Sequence, residues 1–463
     1  MREDKNSHIL DFLFRPRSVA VIGASNRLLT IGNRIVRNLQ NMQFTGPVYP
    51  VHPKDSQIEG LAAYPSISHV PGEVDLAHII VKNVQVPRVL EECARKGVKV
   101  AIINTAGFKE VGPEGARLEA ELVRIARSTG IRIFGPNCQG IINADPEVNA
   151  YCNFTFTKPR PGYISIFSQS GGVGEVMNNR LCELGDGLRM YASTGNACDI
   201  NCQEILAYWG DDSDTRVIIC HLENIEDPES FIQMAQKVSE KKPILMMLTG
   251  RTRVGAQAVA FHCGGQLTGR VGDESLATES GVLAFRSLEE ICQTARAFVH
   301  VKIPRGRRVG IITNTGGPGI IAADELSEAG CELPELSEAT KNILKQALHP
   351  EAIVSNPVDV LATAGPKHFR AALAAMLGDP KIDGVLFSFV TPFFVDCETV
   401  AREVVQISAK THKPIVCVVM TDKTLWGATL QIFRNAGIPT YSQPEIGAKV
   451  LAAMSKYGEK IDS

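Results

Sequence analysis

Short apolar runs that end in glycine, serine or asparagine alternate along this chain with segments of helical period. That alternation predicts strand–loop–helix units whose strands run parallel. The clearest runs are SVAVIGAS (18–25), DLAHIIVKN (75–83), VKVAIINTAGF (98–108), IRIFGPN (131–137), YISIFSQSGG (163–172), RVIICHLE (216–223) and PILMMLTG (243–250). RVGIITNTGG (308–317), GVLFSFV (384–390) and PIVCVVM (414–420) follow. Each is too short for a buried helix and rich in β-branched residues, so buried parallel strands are expected.

An internal repeat sits on this pattern. YISIFSQSGGVGEVMNNRLCELG (163–185) aligns with VGIITNTGGPGIIAADELSEAG (309–330), and GNACDI (195–200) with SNPVDV (355–360). VIICHLENI (217–225) then meets VLFSFVTPF (385–393), and KKPILMMLTG (241–250) meets HKPIVCVVMT (412–421). The offset averages about 160 residues, drifting through small insertions and deletions, which predicts two copies of one open α/β unit. A different, Rossmann-like unit precedes them. The expected domains are 1–150, 151–301 and 302–463, with connecting segments around ADPEVNAYCNFTFTKPRPG and VKIPRGRR.

Composition narrows the function classes. A net charge of −2 leaves no electrostatic footprint for nucleic acid or an anionic membrane, so bound anions need local devices. The cysteines are scattered singly, and Cys198 and Cys202 have no second pair to complete a zinc site. The opening MREDKNSHILDFLF is too charged for a secretory signal, and no apolar run approaches the roughly 18 residues of a membrane span. A cytoplasmic protein with reduced thiols is expected.

The first strand runs through a turn at 26–32 into a predicted helix over 33–41. Strand, glycine turn and helix N-terminus make a phosphate pocket. The spacing Gly23-x-Ser25 with a later Gly32 is not a strict G-x-G-x-x-G, and a turn that merely connects strand to helix explains it as well. Lys54 stands at the end of the second strand, where a dinucleotide fold carries an acid for the ribose. A cation there favours an extra phosphate, as on the adenosine of CoA, over NAD.

SVAVIGAS, YPVHPK, the stretch Ala106, Gly107, Phe108, Glu110 and Gly112, and GPNCQGIIN (135–143) resemble the CoA-binding domain of ADP-forming acetyl-CoA synthetases and succinyl-CoA ligase α subunits. The likeness continues in order through SQSGGVGE, STGNACD, the His262 region, ITNTGGPG and NPVDV, and so covers nearly the whole chain. It implies a CoA-binding domain followed by two flavodoxin-like ligase domains. The GPN loop of that family lies near the CoA thiol, which implicates Asn137 and Cys138; burial as a small packing residue is the other reading of Cys138.

The same resemblance implies that His262, in a glycine-rich loop with Gly264, takes phosphate during turnover, and that Glu223 is its acidic partner. A neutral imidazole is nucleophilic near pH 7 when its other nitrogen is held as a donor. The stretch 168–174 between strand and helix offers Ser170, Gly171 and Gly172 as a backbone cradle for the phosphoryl group. Gly195, Asn196 and Asp199 match a loop near the acyl and phosphate site, though a tight turn explains them too. Phe261 and Cys263 replace the hydroxyl residues usual beside the histidine, and Asn83 stands where proline is usual.

Nothing here resembles an ATP-grasp domain, and no G-x-x-x-x-G-K-[ST] loop occurs, so the resemblance implies a separate ATP-grasp β subunit that brings ATP/ADP and Mg²⁺, in an α2β2 assembly. The implied reaction is acid + CoA + ATP ⇌ acyl-CoA + ADP + phosphate. A non-catalytic CoA or acyl-CoA sensor is the rival from another class, and an NAD-dependent oxidoreductase a third reading. The carboxylic acid, the choice of ATP or GTP and the direction of flux stay open.

Overall fold

The computed structural model describes residues 8–225, 227–262 and 274–462. Each apolar run named above contains a strand, and the strands form three main sheets. The first holds β1 (Val19–Ile22), β2 (Val48–Val51), β3 (Leu76–Ile79), β4 (Val100–Ile103) and β5 (Arg132–Phe134), all parallel, in the order β2-β1-β3-β4-β5. Its residues alternate between two cores. Val19 and Val21 pack with Ile35 and Leu39, whereas Ala20 and Ile22 pack with Leu90 and Leu122. Both faces are therefore covered, which is why these strands read as unbroken apolar runs.

The second sheet holds β6 (Gly140–Asn143), β7 (Pro161–Ser168), β8 (Leu188–Ser193), β9 (Val217–His221), β10 (Ile244–Met247) and β11 (Leu283–Phe285). Its order is β11-β10-β9-β7-β8-β6. The edge strand β6 is antiparallel to β8, a departure from the expected all-parallel sheet. It comes from the GPNCQGIIN segment, so the chain passes from the first sheet into the second within a few residues of Phe134.

The third sheet holds β12 (Val309–Thr313), β13 (Val358–Asp359), β14 (Gly384–Val390), β15 (Ile415–Met420) and β16 (Thr440–Tyr441), in the order β13-β12-β14-β15-β16. Leaving β6 aside, all three sheets place their strands in the order second, first, third, fourth, fifth. In such sheets the first and third strands send their connections to opposite sides, which opens a crevice at their carboxyl ends. The chain divides into two compact units, Met1–Ile291 with the first two sheets and Cys292–Ser463 with the third.

Six helices matter below: α1 (Ile31–Asn41), α2 (Pro113–Thr129), α3 (Gly171–Leu184), α4 (Cys202–Asp211), α5 (Arg253–His262) and, in the second unit, α6 (Gly316–Glu328). Up to the histidine, α5 stands where a glycine-rich loop was expected, because 253–262 holds five alanine or valine positions and only one glycine. His262 ends that helix; its side chain, Cys263 and Gly264 lie outside the described residues.

Candidate functional site

At the crevice of the second sheet, β7 ends at Ser168, whose Oγ donates to the Ser170 carbonyl (2.6 Å) and contacts His221 Nδ1 (3.2 Å). Ser170 is the N-cap of α3, its hydroxyl accepting from the Val173 N–H (3.4 Å). Gly171 and Gly172 form the first turn, where N–H groups without intrahelical acceptors and the helix dipole favour an anion. The turn is seated from behind. Tyr191 Oη donates to Gln139 Oε1 (2.5 Å), and a Cβ on Gly174 would lie 2.3 Å from that same Oη.

Glu223 follows β9 across the crevice. Gln169 Oε1 accepts from the N–H groups of Glu223 (2.5 Å) and Asn224 (2.9 Å), and its Nε2 donates to the Asn224 carbonyl (2.8 Å). Thr249 Oγ1 donates to the Leu222 carbonyl (3.0 Å), which ties the segment leading into α5 to the residue before Glu223.

A third wall comes from the loops after β5 and β8. Gly195 has φ +55°, and a Cβ there would lie 2.1 Å from the Asn137 carbonyl oxygen, so the two loops touch backbone to backbone. Asn196 N–H donates to the Pro136 carbonyl (3.0 Å). Asn137 Nδ2 donates to Asn196 Oδ1 (3.3 Å), while Asn196 Nδ2 serves Glu110 Oε2 (2.7 Å) and Glu119 Oε2 (2.8 Å). Burial opposes ionisation of Glu110, but hydrogen bonds from Asn196 and the backbone of Gly107 and Phe108 outweigh it and hold the carboxyl below its ordinary range.

These walls enclose a cleft of about 380 Å³ lined by Ser170, Gly171, Gly172, Glu223, Asn137 and Lys109 among others, with Phe167 and Ile225 as apolar surface. Gly195 and Asn196 line it as well. Cys202 reaches the cleft, but burial pushes its thiol pKa up to about 12, which disfavours the thiolate there.

Two residues named from the sequence stand elsewhere. Cys138 is buried, its thiol donates to the Ile103 carbonyl (3.3 Å), and burial raises its pKa far above the ordinary thiol. It packs behind the loop whose Asn137 lines the cleft. Asp199 is occupied by Arg132 Nε (2.9 Å) and the Ile133 N–H (2.7 Å), and so fastens its loop to the start of β5 instead of facing the cleft. Phe261, which stands in place of a hydroxyl residue, is 84% exposed.

The first sheet has its own crevice. Gly23 has φ +94°, and a Cβ there would meet the Ile80 carbonyl oxygen at 2.1 Å. A Cβ on Gly32 would meet the Gly23 carbonyl oxygen at 2.1 Å, so both glycines let α1 sit tight on β1. The Ser25 hydroxyl accepts from the Arg27 N–H (3.0 Å), and Lys54 is exposed beyond β2. Asn83 Nδ2 donates to the Gly107 carbonyl (2.9 Å), joining the loops after β3 and β4. Sequence reasoning missed Lys109, Gln169 and Glu119. The first two adjoin motif residues; Glu119, inside α2, carried no signal beyond being an acid at a buried helical position.

Family models match in chain order: a CoA binding domain at 17–144, a succinyl-CoA ligase like flavodoxin domain at 161–298 and a ligase-CoA domain at 309–461. The alpha subunit of an ADP-forming acetate–CoA ligase II from Pyrococcus furiosus is 36% identical over 460 residues, 98% of this chain and 99% of that one. The chain belongs to the ADP-forming acyl-CoA synthetases. Within this family of acid–thiol ligases, an ADP-forming acetate–CoA ligase from Methanocaldococcus jannaschii is 36% identical over 97% of this chain but 63% of its own length. An acetyl-coenzyme A synthetase from Ca. Korarchaeum cryptofilum, solved with phosphate and ADP, superposes with a TM-score of 0.90 at 32% identity, covering 98% of each chain. The NAD reading falls with this assignment. Among the described residues no helix is long and apolar enough to cross a membrane, and no cluster of metal-ligating side chains occurs.

Proposed function

We propose that this chain is the CoA-binding subunit for the reaction acid + CoA + ATP ⇌ acyl-CoA + ADP + phosphate, in the cytoplasm. A separate ATP-grasp β subunit in an α2β2 assembly supplies the ATP/ADP and Mg²⁺ site. The alpha-subunit name of the Pyrococcus relative, which this chain covers over 99% of its length, supports the separate partner. The observation that carries the reading is the cleft at the β7/β9 crevice, where the N-terminus of α3 and Glu223 open on one cavity.

In this reading His262 nitrogen attacks the γ-phosphorus of ATP, an N–P bond forms and the P–O bond to ADP breaks. The substrate carboxylate then attacks that phosphorus, the N–P bond breaks, and an acyl phosphate forms as the imidazole is restored. The CoA sulfur attacks the acyl carbon; the C–S bond forms, the C–O bond to phosphate breaks, and the thiol proton goes to the departing phosphate. Ser170, Gly171, Gly172 and Gly264 donate to the phosphoryl oxygens, and Glu223 accepts the second imidazole N–H so that the attacking nitrogen keeps its lone pair. Gly23, Ser25 and Lys54 hold the nucleotide end of CoA, and Asn137 and Asn196 face its thiol end.

The test is phosphate labelling of the chain in its native extract with labelled ATP and Mg²⁺, wild type beside His262→Asn, with CoA binding measured in both. Acid-labile, base-stable label lost in H262N is the expected result. A chain that binds CoA beside its partner yet takes no label overturns the relay and leaves a CoA sensor.

A further inference from the structure

Every step above handles an oxyanion, yet two carboxylates, Glu223 and Asp227, line the cleft. Among the described residues lining it, Lys109 is the one cationic side chain. It sits in the single turn Lys109–Val111 that follows β4, and so reaches the second sheet's cleft from the first sheet's loop. Its placement is built. The Lys109 N–H donates to Glu119 Oε2 (3.3 Å) and its ammonium lies 3.5 Å from Glu119 Oε1. Glu119 is 6% exposed and comes from α2, and its Oε2 also accepts from Asn196. A buried carboxylate therefore holds both ends of this lysine at the cleft wall, on the same frame that orients Asn196 toward Asn137.

We propose that Lys109 binds the oxyanion of the substrate acid and of its acyl phosphate, with Glu119 as the counter-ion that keeps the ammonium aimed into the cleft. The inference rests on the acyl-phosphate reading above. The acid's own oxygens are the ligand, and not the CoA phosphates, because the cavity Lys109 lines also holds the α3 cradle and Glu223 but none of Gly23, Ser25 or Lys54. A third of the Lys109 side chain is exposed, so its ammonium can meet an arriving oxyanion while Glu119 holds it from behind.

The purified chain is titrated with labelled acetyl phosphate, and acid-labile, base-stable phosphate on the protein is scored. K109M and K109Q should raise the half-saturating concentration by about tenfold or more, and K109R should stay within about threefold of wild type. CoA affinity, measured by direct binding, should not change in any of them. K109M/E119Q, which removes both charges, should regain any stability lost in K109M without regaining acetyl phosphate affinity. A K109M titration that overlays wild type overturns the proposal, as does a loss confined to CoA binding. A wild type that takes no label defeats the relay alone. Calorimetric binding of inorganic phosphate to wild type and K109M then decides the lysine: heat lost in K109M supports it, and equal heats overturn it.

Discussion

The side-chain amide of Gln169 lies across the crevice of the second sheet and is bonded on both sides to the backbone around Glu223. Oε1 takes the N–H groups of Glu223 and Asn224, and Nε2 serves the Asn224 carbonyl. One residue thus joins the turn after β7, which carries the anion cradle, to the turn after β9, which carries the acid. The third sheet repeats the device: Asn314, in the turn after β12, donates to the Val390 carbonyl (2.9 Å) and accepts its N–H (2.9 Å) at the end of β14. Both amides do there what a backbone ladder does elsewhere.

Replacing Gln169 by leucine removes three hydrogen bonds at the base of the cleft. A loss of about 1–3 kcal/mol in unfolding free energy is expected, since half-buried groups lose their partners. Histidine labelling should fall further than the unfolded fraction accounts for, because Glu223 loses its register against α3. Denaturant unfolding alongside labelling separates the two effects.

Gly195→Ala drives a methyl group into the Asn137 carbonyl from a left-handed backbone position. The loops after β5 and β8 must part, at a cost of about 1–3 kcal/mol. Weaker CoA binding is expected in the folded fraction. Unchanged affinity at reduced stability would mean that Asn137 does not face the thiol arm.

Asp199→Ala makes the opposite pattern. Its carboxylate is consumed by Arg132 and the Ile133 N–H, so its removal should cost about 1–3 kcal/mol of stability. Labelling per folded molecule and CoA affinity should stay at wild-type values. A selective fall in labelling would return Asp199 to the substrate loop.

His78 lies within β3, fully buried, and burial, only partly offset by the neighbouring Asn104 side chain, pushes its pKa down to about 3. The unfolded chain takes up this proton near pH 6.5 and the folded chain does not. The contribution of this histidine therefore lowers stability as pH falls through 6.5 toward 3, with a slope that steepens from about half of the full 1.4 kcal/mol per pH unit near pH 6.5 to nearly all of it by pH 5. Urea unfolding at pH 7, 6 and 5 should show that slope in the wild type and a shallower one in His78→Leu.

Most of the fold was legible in the chain itself. The apolar runs named their strands because strands buried on both faces need no polar alternation, and the repeat announced that the second and third sheets share one plan. Part of the close backbone packing was legible too: Gly23 and Gly195 stand in turns where any Cβ would strike a carbonyl oxygen, whereas Gly32, read as the end of the turn, lies inside α1. Strand pairing and side-chain direction were decided only in three dimensions. Periodicity could not assign β6 to the second sheet, because which neighbour an edge strand takes depends on where the chain has already been laid down. Nor could spacing show that Asp199 turns to Arg132, that Cys138 faces inward, or that Glu119 in the middle of a helix holds Lys109 at the cleft. Those partners lie 10 to 67 positions apart in sequence, and only packing brings them within hydrogen-bond reach.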